Sequence, residues 1–86
     1  MEFKKYRRKQ IAELRNVDYN DLLQFVRKKK IVVVDNKDSE VIVSISDVDL
    51  MNGSPKEGDM IARNPKNHLD LWLVAEEYFN NNFETI

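Results

Sequence analysis

The 86-residue chain has no cysteine, two glycines, two prolines and a single histidine. Without cysteine it has no disulfide, no thiolate metal site and no thiol nucleophile, and a cytosolic location is permitted. Gly53 and Gly58 stand apart and no Gly-Lys-Ser/Thr follows either of them, which excludes a glycine-rich phosphate loop. No apolar run approaches the ~20 residues of a membrane-spanning helix. The start, Met1-Glu2-Phe3-Lys4-Lys5, lacks the apolar stretch of a signal peptide. These absences leave the expectation of no cofactor, no metal and no membrane. What is present is 42% hydrophobic and 34% charged residues, with the apolar ones clustered as in a folded chain. The length suits one compact domain over residues 1–86, with 1–9 as a basic arm, and has no room for a large cleft.

The formal net charge of −1 conceals an asymmetry. Residues 1–30 hold ten basic and four acidic residues, a balance of +6, and residues 31–86 hold four basic and eleven acidic ones, a balance of −7. Either the two parts neutralise each other in the fold, or the basic end meets an anionic partner. A homo-oligomer, with the basic end of one copy on the acidic body of the next, is a third reading.

Local patterns place the elements. Residues 10–15 alternate weakly and read as an edge strand or a short helix. Asp18 suits a helix N-cap, Asp21 adds negative charge to the first turn, and Val17 and Leu22 stand where a hydrophobic staple joins. Tyr19, Leu22, Leu23 and Val26 recur at helical spacing, and Arg27 to Lys30 complement the C-terminal end, which predicts a helix over 18–30. The β-branched Ile31 to Val34, a polar turn and Val41 to Ile45 predict a β-hairpin. Ser46 caps a short helix over 47–51, and 54–58 is a loop within the domain. A strand over 59–63 turns at Asn64-Pro65. Residues 69–75 fit either a strand or a helix by period; the proline turn and the β-propensity of the run favour a second hairpin. Glu76 to Asn81 reads as a short helix, with Phe83 folding back onto the core.

The predicted fold class is α+β: a small antiparallel sheet of two hairpins, one main helix packed on it and a short terminal helix. The expected core is Leu22, Leu23, Val26, Ile31, Val33, Ile42, Ile45, Ile61, Leu71, Leu73, Val74, Tyr78 and Phe79.

Both ends of the chain carry a further pattern. Gly58-Asp59-Met60-Ile61-Ala62-Arg63-Asn64-Pro65-Lys66-Asn67-His68, Trp72-Leu73-Val74-Ala75, Tyr78-Phe79 and Asn82-Phe83-Glu84, with Ser46 to Lys56 before them, resemble a group of small bacteriophage and prophage proteins. The opening Phe3 to Lys9 resembles the start of such proteins, whereas residues 16–45 match no family pattern. The resemblance implies a phage accessory product acting in the cytoplasm of an infected bacterium, of a kind that is often a non-enzymatic modifier of host or defence proteins. It implies no chemistry, so the reading is one of genetic context.

Catalytic constellations are sparse. His68 lies near Asp70 without a nucleophile in a recognisable context, and reads as a turn histidine. Asp47, Asp49, Glu57 and Asp59 are acidic, but their spacing does not gather them around a cation. Binding is the better functional reading, and the chain is expected not to be an enzyme. Lys4, Lys5, Arg7, Arg8 and Lys9 suit phosphates, with Phe3 and Tyr6 placed to stack on unpaired bases; the plainer reading anchors Phe3 and Tyr6 to the core and leaves the charges solvated. Arg63, Lys66, His68 and Trp72, around the second hairpin, complete the expected partner-binding set. Trp72 is either an interface anchor on the far face of its strand or a core residue. A host or defence protein is the first partner expected, and nucleic acid held by the basic arm is the alternative.

Overall fold

A computed structural model describes residues 2–4, 11–34 and 37–84. The order of elements is β1 (Glu13–Asn16), α1 (Tyr19–Lys28), β2 (Val32–Val34), β3 (Glu40–Ile42), α2 (Asp47–Met51), β4 (Met60–Asn64), β5 (Asn67–Val74) and α3 (Glu76–Asn82). The fold is α+β. Residues 69–74 are strand, as the proline turn favoured, and β1 resolves residues 13–16 as an edge strand.

Both expected hairpins form, but each lies in its own ladder. β4 sits between β1 and β5 in a three-stranded antiparallel sheet, while β2 and β3 make a two-stranded one. Ser44 joins them by a parallel bridge to Trp72. Its N–H donates to the Leu71 carbonyl (3.0 Å), and its own carbonyl accepts from the Leu73 N–H (2.8 Å).

Period-two alternation gives the three-stranded sheet two apolar faces. On one face Ile61, Leu71 and Leu73 join Val17, Ile31, Val41 and Val43, with Leu22 and Phe25 of α1 packed against them. On the other, Met60, Ala62 and Val74 are covered by Ala12, Leu14, Trp72, Phe79 and Phe83. Phe83 thus folds back as expected, its ring stacked on Phe79 with centroids 5.8 Å apart. Ile31, fully buried, alone contributes about 1.5–3 kcal/mol by leaving water.

The start of α1 is fixed twice over. The Asp21 N–H donates to Asp18 Oδ1 and the Asp18 N–H donates to Asp21 Oδ2, each at 2.9 Å, which forms a capping box. Val17 is buried before the cap and Leu22 packs on the same cluster, as a hydrophobic staple requires. The helix is shorter than the predicted 18–30. Lys29 takes a left-handed conformation (φ 60°) and its N–H donates to the Phe25 carbonyl (2.8 Å), which closes the helix at Lys28.

Three core expectations are overturned, and one of the helix stripe. Val26 is 70% exposed, Ile42 57% and Tyr78 53%, and Tyr19, which headed the expected helix stripe, is exposed as well. In the hairpin the cause is register. Val33 pairs with Val41, so Val41 and Val43 face inward and Ile42 faces out. In α1 the cause is that polar residues take inward positions. Asp21 is buried against Arg15, and the Gln24 amide bonds the Val32 N–H and carbonyl (both 3.3 Å) along the strand edge. The helix is rotated accordingly, so Leu22 and Phe25 face the core and Tyr19 and Val26 do not.

Candidate functional site

The first apolar face runs into a groove at the end away from α1. Ile61, Leu71, Val33 and Val41 line a groove of about 410 Å³ together with Glu13, Arg15, Arg63 and His68. Val34, 59% exposed, forms its lip. The lining mixes aliphatic and charged side chains, and strand register sets them side by side: Arg15 lies across from Ile61 and Arg63 across from Leu71.

Glu13 of β1 lies directly across from Arg63 of β4, so their side chains share a face. Arg63 Nε donates to Glu13 Oε1 at 2.8 Å, and both side chains are about half exposed. His68 Nε2 stands 3.5 Å from the same oxygen. Among the described residues, Arg63 therefore uses Nε alone, and its two Nη groups remain for another acceptor.

Arg15 is differently committed. It donates to Asp21 through Nη1 to Oδ2 (2.7 Å) and Nη2 to Oδ1 (3.1 Å), and from Nη1 to the Asn16 carbonyl (3.0 Å). Burial pushes the Asp21 carboxyl up, but the Arg15 hydrogen bonds, the Asp18 N–H and the Arg15 charge outweigh it and hold the group below the usual carboxylate range. The Asp21 hydrogen bonds raise Arg15 in turn. This pair ties the edge strand to the first turn of α1.

The second buried acid is also structural. Asp59, fully buried, accepts from the Lys56 N–H through Oδ2 (2.9 Å) and from the Glu76 N–H through Oδ1 (3.0 Å). It thereby holds the loop before β4 against the start of α3, where the helix's own N-cap residue, Ala75, makes no side-chain cap. Asp47, Asp49, Glu57 and Asp59 do not converge, and no group of three potential metal ligands occurs among the described residues.

Of the expected partner-binding residues, Arg63 and His68 come together at the groove, around Glu13 rather than Asp70. Lys66 is exposed in the tight turn, where its N–H donates to Asn64 Oδ1 (2.9 Å). Trp72 is half-buried on the opposite face, packed with Met60, Ala62 and Val74, and so is separated from the groove. Lys4 is exposed, while Lys5, Tyr6, Arg7, Arg8 and Lys9 lie outside the described residues.

Sequence reasoning missed Glu13, Arg15 and Val34 as groove residues. The signal was the charged alternation Glu13-Leu14-Arg15, which marks an edge strand without saying what faces it. Comparison with known proteins finds no matching family model, no matching curated protein and no matching solved structure. No helix among the described residues is long and apolar enough to cross a membrane.

Proposed function

We propose that this chain is a non-catalytic interaction protein, an accessory product of the bacteriophage kind that its ends resemble, which binds a host or host-defence protein in the bacterial cytoplasm and alters its activity. The observation that carries this reading is the groove: one exposed aliphatic side chain, Val34, beside a half-exposed guanidinium with donors to spare. Exposed apolar surface next to a few placed polar groups is what recognition sites combine. The groove lining holds no serine, threonine, lysine or tyrosine, and its one carboxylate is engaged by Arg63. That chemistry suits docking better than group transfer.

The test is affinity capture from bacterial lysate with tagged wild type, Val34→Asp at the lip and Val48→Asp on α2. Val34 and Val48 are comparably exposed, so neither change disturbs the core. A stoichiometric protein captured by wild type and by Val48→Asp, but lost with Val34→Asp, supports the reading. Equal capture by all three, or repeated absence of a stoichiometric partner, refutes it.

A second reading, nucleic-acid binding by the basic arm, is favoured by one observation. Phe3 is fully exposed beside exposed Lys4, so it does not anchor the arm and its ring is open for stacking on a base. That reading requires single-stranded DNA binding that weakens with salt and on deletion of residues 1–9. Binding indifferent to salt, or none at low salt, removes it.

A further inference from the structure

We infer that the chain associates with itself, the basic C-terminal end of α1 in one copy docking on the acidic and apolar α2 of another. This goes beyond the docking role proposed above and does not rest on it, since none of the residues concerned lines the groove.

The charge asymmetry of the chain is not cancelled within one copy. Arg15 pairs with Asp18 and Asp21, inside its own part of the chain. The contacts between the two parts run the other way, from Arg63 and His68 to Glu13. Among the described residues, no cation of residues 1–30 meets an acid of residues 31–86. Arg27, Lys28, Lys29 and Lys30 are thus four consecutive exposed cations without an acidic partner. A helix end carries only about half a negative charge, so most of theirs is left over. Asp47 and Asp49 of α2 are likewise without a cationic partner among the described residues.

Apolar surface accompanies both clusters. Val26 is exposed just before the four cations, and α2 exposes Val48, Leu50 and Met51 around its two acids. Nucleic acid would accept Arg27 to Lys30, but it would be repelled by Asp47 and Asp49 and would leave the apolar side chains of α2 uncovered. A second copy matches both surfaces at once. Each offers the sign of charge that the other lacks, with an apolar contact beside it. The two patches differ, so every copy presents one of each to its neighbours.

Sedimentation equilibrium of the untagged full chain, at concentrations up to millimolar, reads this directly. In about 0.01 M salt the Debye length is about 30 Å, and the mean mass should rise above the 10.2 kDa of one copy. In about 1 M salt that length is about 3 Å, and the association constant should fall about tenfold. Arg27→Glu, Lys28→Glu and Lys30→Glu together reverse one cluster, and Asp47→Lys with Asp49→Lys reverses the other. Lys29 is kept because its backbone is left-handed. Each reversed variant should be monomeric, and mixing the two should restore association, which a purely structural role would not produce. Met51→Gln removes exposed apolar surface without changing charge and should weaken association several-fold. Val34→Asp, in the groove, should leave it unchanged. Thermal melts check that each variant folds.

A monomer at every concentration, association indifferent to salt, a mixture of reversed variants that stays monomeric, full association of Met51→Gln, or its loss in Val34→Asp each overturns the inference. So does a mass excess that carries nucleic-acid absorbance and disappears with nuclease, which would assign Arg27 to Lys30 to nucleic acid. Capture of a host protein through Val34 is read separately and stands or falls by itself.

Discussion

Replacing Asp21 by asparagine keeps the shape of the side chain and removes its charge. The carboxylate accepts from Arg15 at 2.7 and 3.1 Å and from the Asp18 N–H at 2.9 Å, with only 4% of the side chain exposed. Asparagine presents one acceptor oxygen where two are used, and sets an NH₂ against donors. Hydrogen bonds to charged groups contribute about 1.5–3 kcal/mol each, partly offset by the desolvation that the neutral amide avoids. Arg15 is 45% exposed and solvent reclaims part of its loss, so the net cost is about 2 kcal/mol. A domain of this size has roughly 4–13 kcal/mol of stability in all, so the melting temperature should fall by about 8–16 °C.

The pH dependence separates this cause from lost packing. Asp21 is held below the usual carboxylate range in the folded chain, whereas unfolded it titrates near about 3.9. Its contribution is complete well above that unfolded value and is lost as pH falls through the lower, folded value. Thermal melts by circular dichroism at several pH values between neutrality and pH 3 should therefore show wild type converging on Asp21→Asn as pH drops. A gap that stays constant with pH, or no gap at pH 7, refutes the assignment.

Other substitutions probe the remaining joints. Asp59→Ala orphans two N–H groups against a fully buried position, and should cost roughly 2–4 kcal/mol in denaturant titration. Gly58 and Gly53 both have positive φ, 99° and 93°, so alanine at either should cost about 1–2 kcal/mol for left-handed backbone. A Cβ at Gly58 also runs into the Glu76 carboxylate, whereas one at Gly53 meets open space. Because that carboxylate is the end of an exposed side chain and can turn away, Gly58→Ala and Gly53→Ala should melt within a few degrees of each other, and adding Glu76→Ala should change Gly58→Ala little. Val43→Ala, at a buried site, should cost about 1–3 kcal/mol, while Ile42→Ala, at an exposed one, should fall within about 0.5 kcal/mol of wild type; reversed effects would mean the hairpin register is wrong.

Element types and most of their limits were legible in the sequence because each rests on local chemistry. The Asp18 cap, the β-branched run at 31–34, the Asn64-Pro65 turn and the Ser46 cap all act within a few residues of themselves. Facing was less legible, since it depends on partners distant in sequence. In Val41-Ile42-Val43 either parity buries good β-formers, and the Val33–Val41 pairing decides between them. In α1 the apolar period pointed through Tyr19 and Val26, yet Asp21 and Gln24 turn inward because Arg15 and the Val32 backbone wait there. A polar residue at an inward position reads as surface until its partner is known. The groove was illegible for the same reason: Glu13 and Arg63 are fifty residues apart and meet only through β1–β4 pairing.

Position on β1 also explains why the groove lies where it does. Glu13 and Arg15 alternate onto the face that carries Ile61 and Arg63. Arg15 holds the first turn of α1 through Asp21, and Val17 seals that end of the cluster with Leu22 and Phe25. The helix is thereby fixed at one end of the sheet, and the face beyond Ile61 and Leu71 is left to Glu13, Arg63 and His68. Stability and the proposed recognition thus fall to neighbouring arginines. Arg15 faces a buried acid and serves the fold; Arg63 is half exposed and cross-strand to an exposed acid, a pairing worth little to stability. A substitution at Arg63 should change binding at nearly constant melting temperature, whereas one at Arg15 should lower the melting temperature whatever it does to binding.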